Sequence, residues 1–166
     1  MISPELIRRY SFFAGLNHDY LGTLAKYADE RSVEAGHCFF QEGHELKKFY
    51  LVLEGVVAIA IDVPDRALEQ PLYGQITGHP NTKGITVSTV GIGEIFGWSA
   101  LVPPHQSTAS AKAVTPCRVA AFDCEKLRPI LEEDCRFAYL MVLKAAQIVR
   151  GRLRDRRIES LAENAV

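Results

Sequence analysis

Short apolar stretches alternate with glycine-containing turns through most of the chain, and this spacing restricts the fold more than any other feature. From residue 31 the apolar residues recur with a period of two, and a glycine turn follows about every ten residues. No stretch of helix length lies between them, which argues against a parallel α/β sheet. The pattern therefore predicts an all-β sandwich or barrel. The predicted strands are residues 32–34, 38–41, 48–54, 56–63, 85–90, 109–114 and 117–123.

The composition is typical of one soluble globular domain. The chain has 166 residues, of which 48% are hydrophobic and 23% charged, and its net charge is −1. This balance gives no global attraction to nucleic acid or acidic lipid. We expect no membrane span and no secretory signal, because every apolar run is short and Arg8 and Arg9 interrupt the first helix. The four cysteines form no Cys-x-x-Cys pair, so we expect reduced thiols and a cytoplasmic location.

Helices are predicted on both sides of the strands. Ser3 and Asn17 are placed to cap two N-terminal helices, because their side chains can accept from the first free N–H groups. A loose connection is predicted at residues 64–84, where proline, glycine and polar residues dominate. The chain is thus predicted to be a single domain, residues 1–166, with N-terminal helices at 1–30, strands at 31–123 and C-terminal helices at 124–166.

The C-terminal part is predicted to hold a short helix and a long one. The short helix is predicted over Cys124–Ile130, with Pro129 at its end, because the residue before a proline disfavours the helical conformation. The acidic residues 132–134 are then expected to form the first turn of the long helix, where negative charge is favourable. This helix is predicted to extend to about Ala162.

Two apolar stripes run along the long helix and predict two buried faces. One stripe recurs at spacings of three and four residues, a heptad pattern that predicts a homodimer interface. We call it the seam, and its residues are Tyr139, Val142, Ala146, Val149 and Leu153. The other stripe is expected to lie against the strands and consists of Phe137, Met141, Ala145 and Ile148. A single helix packed back on its own domain is the alternative to the dimer.

Arginines crowd the end of the same helix. They are Arg150, Arg152, Arg154, Arg156 and Arg157. The interpretation we favour is a solvated, salt-bridged face, and contact with nucleic acid or an acidic partner is the alternative.

Residues 91–113, which we call the cassette, combine three features. Gly91, Gly93 and Gly97 allow sharp turns and close approach to the backbone. A short apolar helical turn at 99–102 follows, with Ser99 placed to cap it, and Pro103-Pro104 ends it. A strand of small residues then leads back into the sheet. Together these features predict a concave surface with free N–H groups, which suits a small anion.

The cassette resembles the phosphate-binding cassette of cyclic-nucleotide-binding domains, the sensor domains of catabolite-activator-type regulators. The family pattern runs Phe-Gly-Glu, a short helix, and then Arg-Ser/Thr-Ala. Here Phe96-Gly97 and Thr108-Ala109 match. Trp98 stands where the family has its ribose-binding glutamate, and Ser107 stands where it has its phosphate-binding arginine. The fold signal is therefore retained while two ligand contacts are altered.

The resemblance covers nearly the whole chain and implies a mainly β fold. It implies a double-stranded β-helix, or jelly-roll β-roll, with N-terminal helices and a long C-terminal helix. The implied ligand is a cyclic nucleotide or another small anion. Its expected contacts are Phe96, Gly97, Trp98, Ser99, Ala100, Ser107, Thr108 and Ala109. In transcription factors of the family a helix-turn-helix domain follows the long helix; because the chain ends at Val166, we expect no DNA-binding domain here.

The two altered contacts weaken the prediction of ordinary cyclic nucleotide binding. Trp98 has no carboxylate for a ribose hydroxyl, and Ser107 offers one neutral donor in place of a guanidinium. Loss of both contacts costs on the order of 3–6 kcal/mol, or a hundredfold or more in affinity. Cyclic AMP, a different or weaker ligand and no ligand all remain open. The Trp98 ring could stack on a ligand or fill the pocket.

We therefore interpret the chain as a ligand-sensing regulatory module whose state is read by a dimer mate or a regulatory protein partner, with a ligand-free dimerisation or scaffold domain as the alternative. The five histidines show no metal-ligand spacing, so we expect no metal site. A catalytic site is also not expected, because His105 and Ser107 form a base and nucleophile pair only in sequence.

Overall fold

The computed structural model describes residues 1–64 and 82–163, so most of the predicted connection at 64–84 lies outside the described residues. The helices of the described part are α1 (Pro4–Arg8), α2 (His18–Lys26), α3 (Cys124–Glu133) and α4 (Cys135–Glu163), with 3-10 helices at Ser11–Phe13 and Trp98–Leu101. The strands are β1 (Ala28–Val33), β2 (Cys38–Phe40), β3 (Lys48–Glu54), β4 (Val57–Pro64), β5 (Thr82–Val90), β6 (Ile95–Phe96), β7 (Ser110–Ala113) and β8 (Cys117–Asp123).

The strands form two antiparallel sheets. One sheet has the order β1-β8-β3-β6 and the other β2-β7-β4-β5. Strand β4 pairs with both β5 and β7, and β3 pairs with both β6 and β8. This arrangement of mainly antiparallel sheets with flanking helices confirms the predicted β-roll.

Strand β3 is buried on both faces, which divides the apolar core into two layers. Phe49, Leu51 and Leu53 pack with the helices. Tyr50 and Val52 pack into the space between the two sheets. Because successive side chains of a strand point to opposite faces, one strand serves both layers.

Helix α4 confirms the prediction that its second stripe packs against the domain. Phe137, Met141 and Ala145 are each about 1% exposed and Ile148 is partly buried against the same core. The seam is on the exposed side: Tyr139 is 64% exposed, Val142 51% and Leu153 50%. The helix thus packs back on its own domain through one stripe and leaves the other uncovered within the chain.

Local capping confirms the N-terminal predictions. The Ser3 side chain accepts a hydrogen bond from the Glu5 N–H, and the Asn17 carboxamide accepts one from Tyr20 N–H at 2.8 Å. Strand β1 begins at Ala28, so the roll starts slightly before the predicted boundary at residue 31.

Two predictions about the C-terminal helices are wrong. Pro129 lies inside α3 rather than at its end, because Ile130 and Leu131 beyond it pack against the core and hold the helix to Glu133. The acidic residues at 132–134 do not form the first turn of α4. Residues 132 and 133 end α3, and Asp134 alone precedes α4, where its carboxylate accepts from Phe137 N–H at 2.9 Å.

Candidate functional site

The cassette contains a backbone turn, at Gly97, that only glycine fits. Gly97 has φ 74° and joins β6 to the 3-10 helix at Trp98–Leu101. A Cβ at this position would lie 3.1 Å from the Lys48 carbonyl and 3.3 Å from the Phe40 ring. Ser99 does not cap the helix as predicted. The cap residue is Gly97 and no side chain bonds there, because the left-handed turn places the buried Ser99 one residue inside the helix.

A small cavity, which we call the cassette cavity, lies beneath this turn. Six of the eight predicted ligand residues line it: Gly97, Trp98, Ser99, Ser107, Thr108 and Ala109. The rest of the lining consists of three apolar residues of neighbouring strands and loops, Phe40, Leu46 and Ile59, and one arginine of α4, Arg152. The volume of the cavity is about 20 Å³, which is room for about one water molecule.

The other two predicted ligand residues do not line the cavity. Phe96 is fully buried and its ring stacks on Tyr50 at 4.9 Å between centroids. Ala100 is also fully buried, and its N–H donates to the Gly97 carbonyl at 3.0 Å. Both residues therefore lie in the core next to the turn at Gly97 and stabilise it.

A groove of about 190 Å³ adjoins the cassette cavity, and we call it the helix groove. Its walls are β4 and β5 on one side and α4 on the other, with Ile59, Ile61 and Val87 as the apolar part. The cavity and the groove share Ile59, Trp98, Thr108, Ala109 and Arg152. The partly exposed Trp98 therefore forms a wall of both spaces.

The Ser107 side chain is committed to the fold of the roll. Ser107 is 5% exposed. Its hydroxyl lies within hydrogen-bond distance of two carbonyl oxygens, those of Gln41 and His44, the latter at 3.2 Å. Its backbone N–H also donates to the His44 carbonyl, at 2.9 Å. The hydroxyl hydrogen is thus directed to the protein backbone, and the side chain does not replace an arginine.

Arg152 is the site residue that the sequence reasoning missed. The prediction of a solvated arginine face is wrong for this residue, which is partly buried and lines both the cassette cavity and the helix groove. Its Nη2 donates to the Ile95 carbonyl at 3.1 Å. Burial lowers the pKa of the guanidinium from its ordinary value, and nearby Glu94 partly opposes this. A signal was present: Arg152 follows Ile148 by four residues and so continues the buried stripe.

No catalytic or metal constellation is found in the part of the chain that the structure describes. His105 Nδ1 is buried without a hydrogen-bond partner, and the Ser107 hydroxyl contacts carbonyl groups, so the two do not form a base and nucleophile pair. Within residues 1–64 and 82–163 there is no cluster of three metal-ligating side chains, and no helix there is long and apolar enough to span a membrane. The cysteines are unpaired, and burial raises the pKa of Cys124 to about 12.

Comparison with known proteins agrees with this geometry. A sequence model of the cyclic nucleotide-binding domain matches residues 30–134, more than half of the chain. The chain is 25% identical over 124 residues to a CRP-like cAMP-activated global transcriptional regulator of Mycobacterium tuberculosis. The match covers 75% of this chain and 48% of the regulator, so the chain spans about half the length of that relative.

Solved structures give the same result. A protein of Geobacter metallireducens GS-15 assigned as cyclic nucleotide-binding superposes with a TM-score of 0.74 and 31% identity, over 92% of this chain and 99% of the other. A cyclic nucleotide-binding domain of Methylobacillus flagellatus KT has a TM-score of 0.72 at 18% identity, over 96% and 80%. The regulatory domain of Toxoplasma gondii PKA, solved with cAMP, has a TM-score of 0.60 at 21% identity, over 76% and 42%. The last two show similarity of fold alone.

The commitment of Ser107 to the backbone can be tested by removing its hydroxyl. Ser107→Ala is expected to lower the free energy of unfolding by about 0.5–1.5 kcal/mol, because the buried side chain loses its hydrogen bond to the backbone. Urea denaturation measures the difference. Thr108→Ala is the matched control, since Thr108 is exposed, and it is expected to change stability by less than about 0.5 kcal/mol. Equal effects of the two substitutions would contradict the structural role of Ser107.

Proposed function

This chain belongs to the cyclic nucleotide-binding domain family, and on that premise we propose that it is a ligand-sensing regulatory module rather than an enzyme. One observation carries the proposal: the cassette and α4 together line the cassette cavity and the adjoining helix groove. A ligand there contacts the turn at Gly97 and Trp98 and the helix at Arg152 together. The position of α4 can then report whether the site is occupied.

We propose that ordinary cyclic nucleotide binding is weakened or replaced by that of another small ligand. Trp98 has no carboxylate, and the Ser107 hydroxyl hydrogen is directed to backbone carbonyls. The cassette cavity has only about 20 Å³ and the adjoining groove about 190 Å³, while ligand pockets usually have about 300 Å³ or more. A ligand of nucleotide size therefore has to move Trp98 or α4 as it enters.

That displacement is the proposed signal. A ligand shifts α4 only if its affinity differs between two positions of the helix. Arg152 provides such a difference in affinity. In the helix position described, its guanidinium donates a hydrogen bond to the Ile95 carbonyl. A ligand that competes for the guanidinium changes the balance between this position and another.

The seam gives the proposed output surface. Its side chains are exposed along α4, opposite the stripe that holds the helix to the domain. We propose that a second copy of the chain covers the seam in a parallel homodimer, because the heptad spacing is the pattern of two packed helices. A regulatory protein partner is the alternative occupant.

One observation favours the second candidate function, a ligand-free dimerisation or scaffold domain. The cassette cavity has a volume of only about 20 Å³, and Trp98 is one of the side chains that line it. In that case the roll serves only to hold α4 and its seam in place.

Titration with cyclic AMP separates the two functions. Trp98 is the only tryptophan of the chain, so its fluorescence reports on this site alone. A ligand sensor is expected to show a saturable change with millimolar cyclic AMP, and a scaffold is expected to show none. The double variant Trp98→Glu with Ser107→Arg is expected to bind cyclic AMP about a hundredfold more tightly, measured by calorimetry, since it restores both contacts. No binding by either protein would contradict a sensor of cyclic nucleotides.

The homodimer is tested by placing a charge on the seam. Val149→Asp is expected to convert a dimer to a monomer in sedimentation equilibrium, because an unpaired carboxylate would have to be buried between the helices. Val114→Asp is the matched control, an exposed valine of the roll outside the seam, and its mass is expected to stay that of the unaltered protein. An unchanged mass for Val149→Asp would remove the seam as a dimer interface.

A further inference from the structure

The guanidinium of Arg152 is partly buried and has no acidic partner within the described residues. None of the ion pairs of residues 1–64 and 82–163 includes it. Its one hydrogen bond in this part of the chain goes to a neutral group, the Ile95 carbonyl. A partly desolvated cation without a counter-charge is unfavourable, and buried charges are normally paired. The lowered pKa of Arg152 has the same cause, since burial disfavours the charged form.

The acidic groups close to Arg152 are used elsewhere or do not reach it. Glu94 accepts from the Gly91 N–H at 2.6 Å. Glu159 is paired with Arg156 at 3.3 Å. Asp155 lines the helix groove with Arg152 yet forms no ion pair with it. The Arg152 guanidinium therefore lies at the cassette cavity without an ion pair among the described residues.

The position of Arg152 relative to the cassette decides what it can bind. It lines the cassette cavity together with Ser107, the residue at the position of the family's arginine. A guanidinium can bind a carboxylate or a phosphate through two parallel hydrogen bonds. Ile59, Ile61 and Val87 form the apolar part of the helix groove, and Trp98 lines the same groove. This is the lining that a planar apolar group requires.

We propose that Arg152, supplied by α4, provides the positive charge of this ligand site, and that the site takes a planar apolar molecule carrying a single negative charge. The inference rests on the proposed function, because it names the ligand class of the same site. The anionic group binds Arg152 at the cassette, and the planar group lies in the helix groove against Trp98.

This assignment makes α4 a direct part of the ligand site. Arg152 lies between Val149 and Leu153 of the seam in the sequence. A bond between ligand and guanidinium therefore acts on the helical turn that carries the seam. No relay through the sheet is needed for binding to change the output surface.

The test compares the unaltered protein with Arg152→Gln, Arg152→Lys and the control Arg154→Gln. Arg154 is exposed on the same helix, so its substitution removes the same charge away from the site. Thermal melting is followed against inorganic phosphate at constant ionic strength. Trp98 fluorescence is followed against cyclic AMP and against adenosine, which has the same base without the charge.

Phosphate is expected to raise the melting temperature of the unaltered protein and of Arg154→Gln by roughly 3–6 °C at ten times its dissociation constant. Arg152→Gln is expected to show no such rise and Arg152→Lys a smaller one, since an ammonium lacks the planar fork. Arg152→Gln is expected to weaken cyclic AMP binding tenfold to a hundredfold and to leave adenosine binding unchanged.

The outcomes separate the inference from the proposed function. If Arg152→Gln responds to phosphate and cyclic AMP as the unaltered protein does, or if phosphate stabilises none of the proteins, the inference is overturned. Cyclic AMP binding that is equal in both proteins leaves the ligand sensor standing without this role for Arg152. A further outcome is that phosphate raises the melting temperature in an Arg152-dependent way while neither cyclic AMP nor adenosine binds. That result supports the anion site and contradicts a sensor of nucleotides.

Discussion

One sheet of this protein has to be covered on both faces, and the rest of the structure follows from that constraint. Strand β3 sends Tyr50 and Val52 between the sheets and its alternate residues toward the helices. The helical layer is therefore not an appendage, because removing it would expose half of the core. Phe137 and Met141 hold α4 in this layer and so fix its course past the cassette, which brings Arg152 to the Ile95 carbonyl.

The position of α4 changes how Trp98 and Ser107, the two departures from the family pattern, affect the site. In isolation, the serine and the tryptophan at positions 107 and 98 remove a charge and a carboxylate from a binding turn. In the folded chain the serine holds two loops together through backbone carbonyls, and a charge is present at the same cavity from another element. In the proposed sensor, binding and helix position are not separate events, since Arg152 takes part in both.

Features set by local chemistry were predicted well from the sequence. The bounds of β3 and β8 agree with prediction to the residue, and Ser3 and Asn17 cap their helices as expected, because alternation and capping depend on near neighbours. Features set by distant contacts were not. The Ser107 hydroxyl is directed by Gln41 and His44 on another loop, and the exposure of Arg152 depends on where α4 crosses the roll. The spacing of the buried stripe, continued by four residues from Ile148, reaches Arg152. The residue type nevertheless led to the prediction of a solvated side chain.

The central claim is that the ligand site is shared between the cassette and α4. Hydrogen–deuterium exchange with and without saturating cyclic AMP tests it most directly, because it follows the two segments separately in one experiment. The account predicts that exchange slows together in residues 97–109 and in residues 149–156. Slowing confined to residues 97–109, or no change in either segment at millimolar cyclic AMP, would contradict a site shared with the helix.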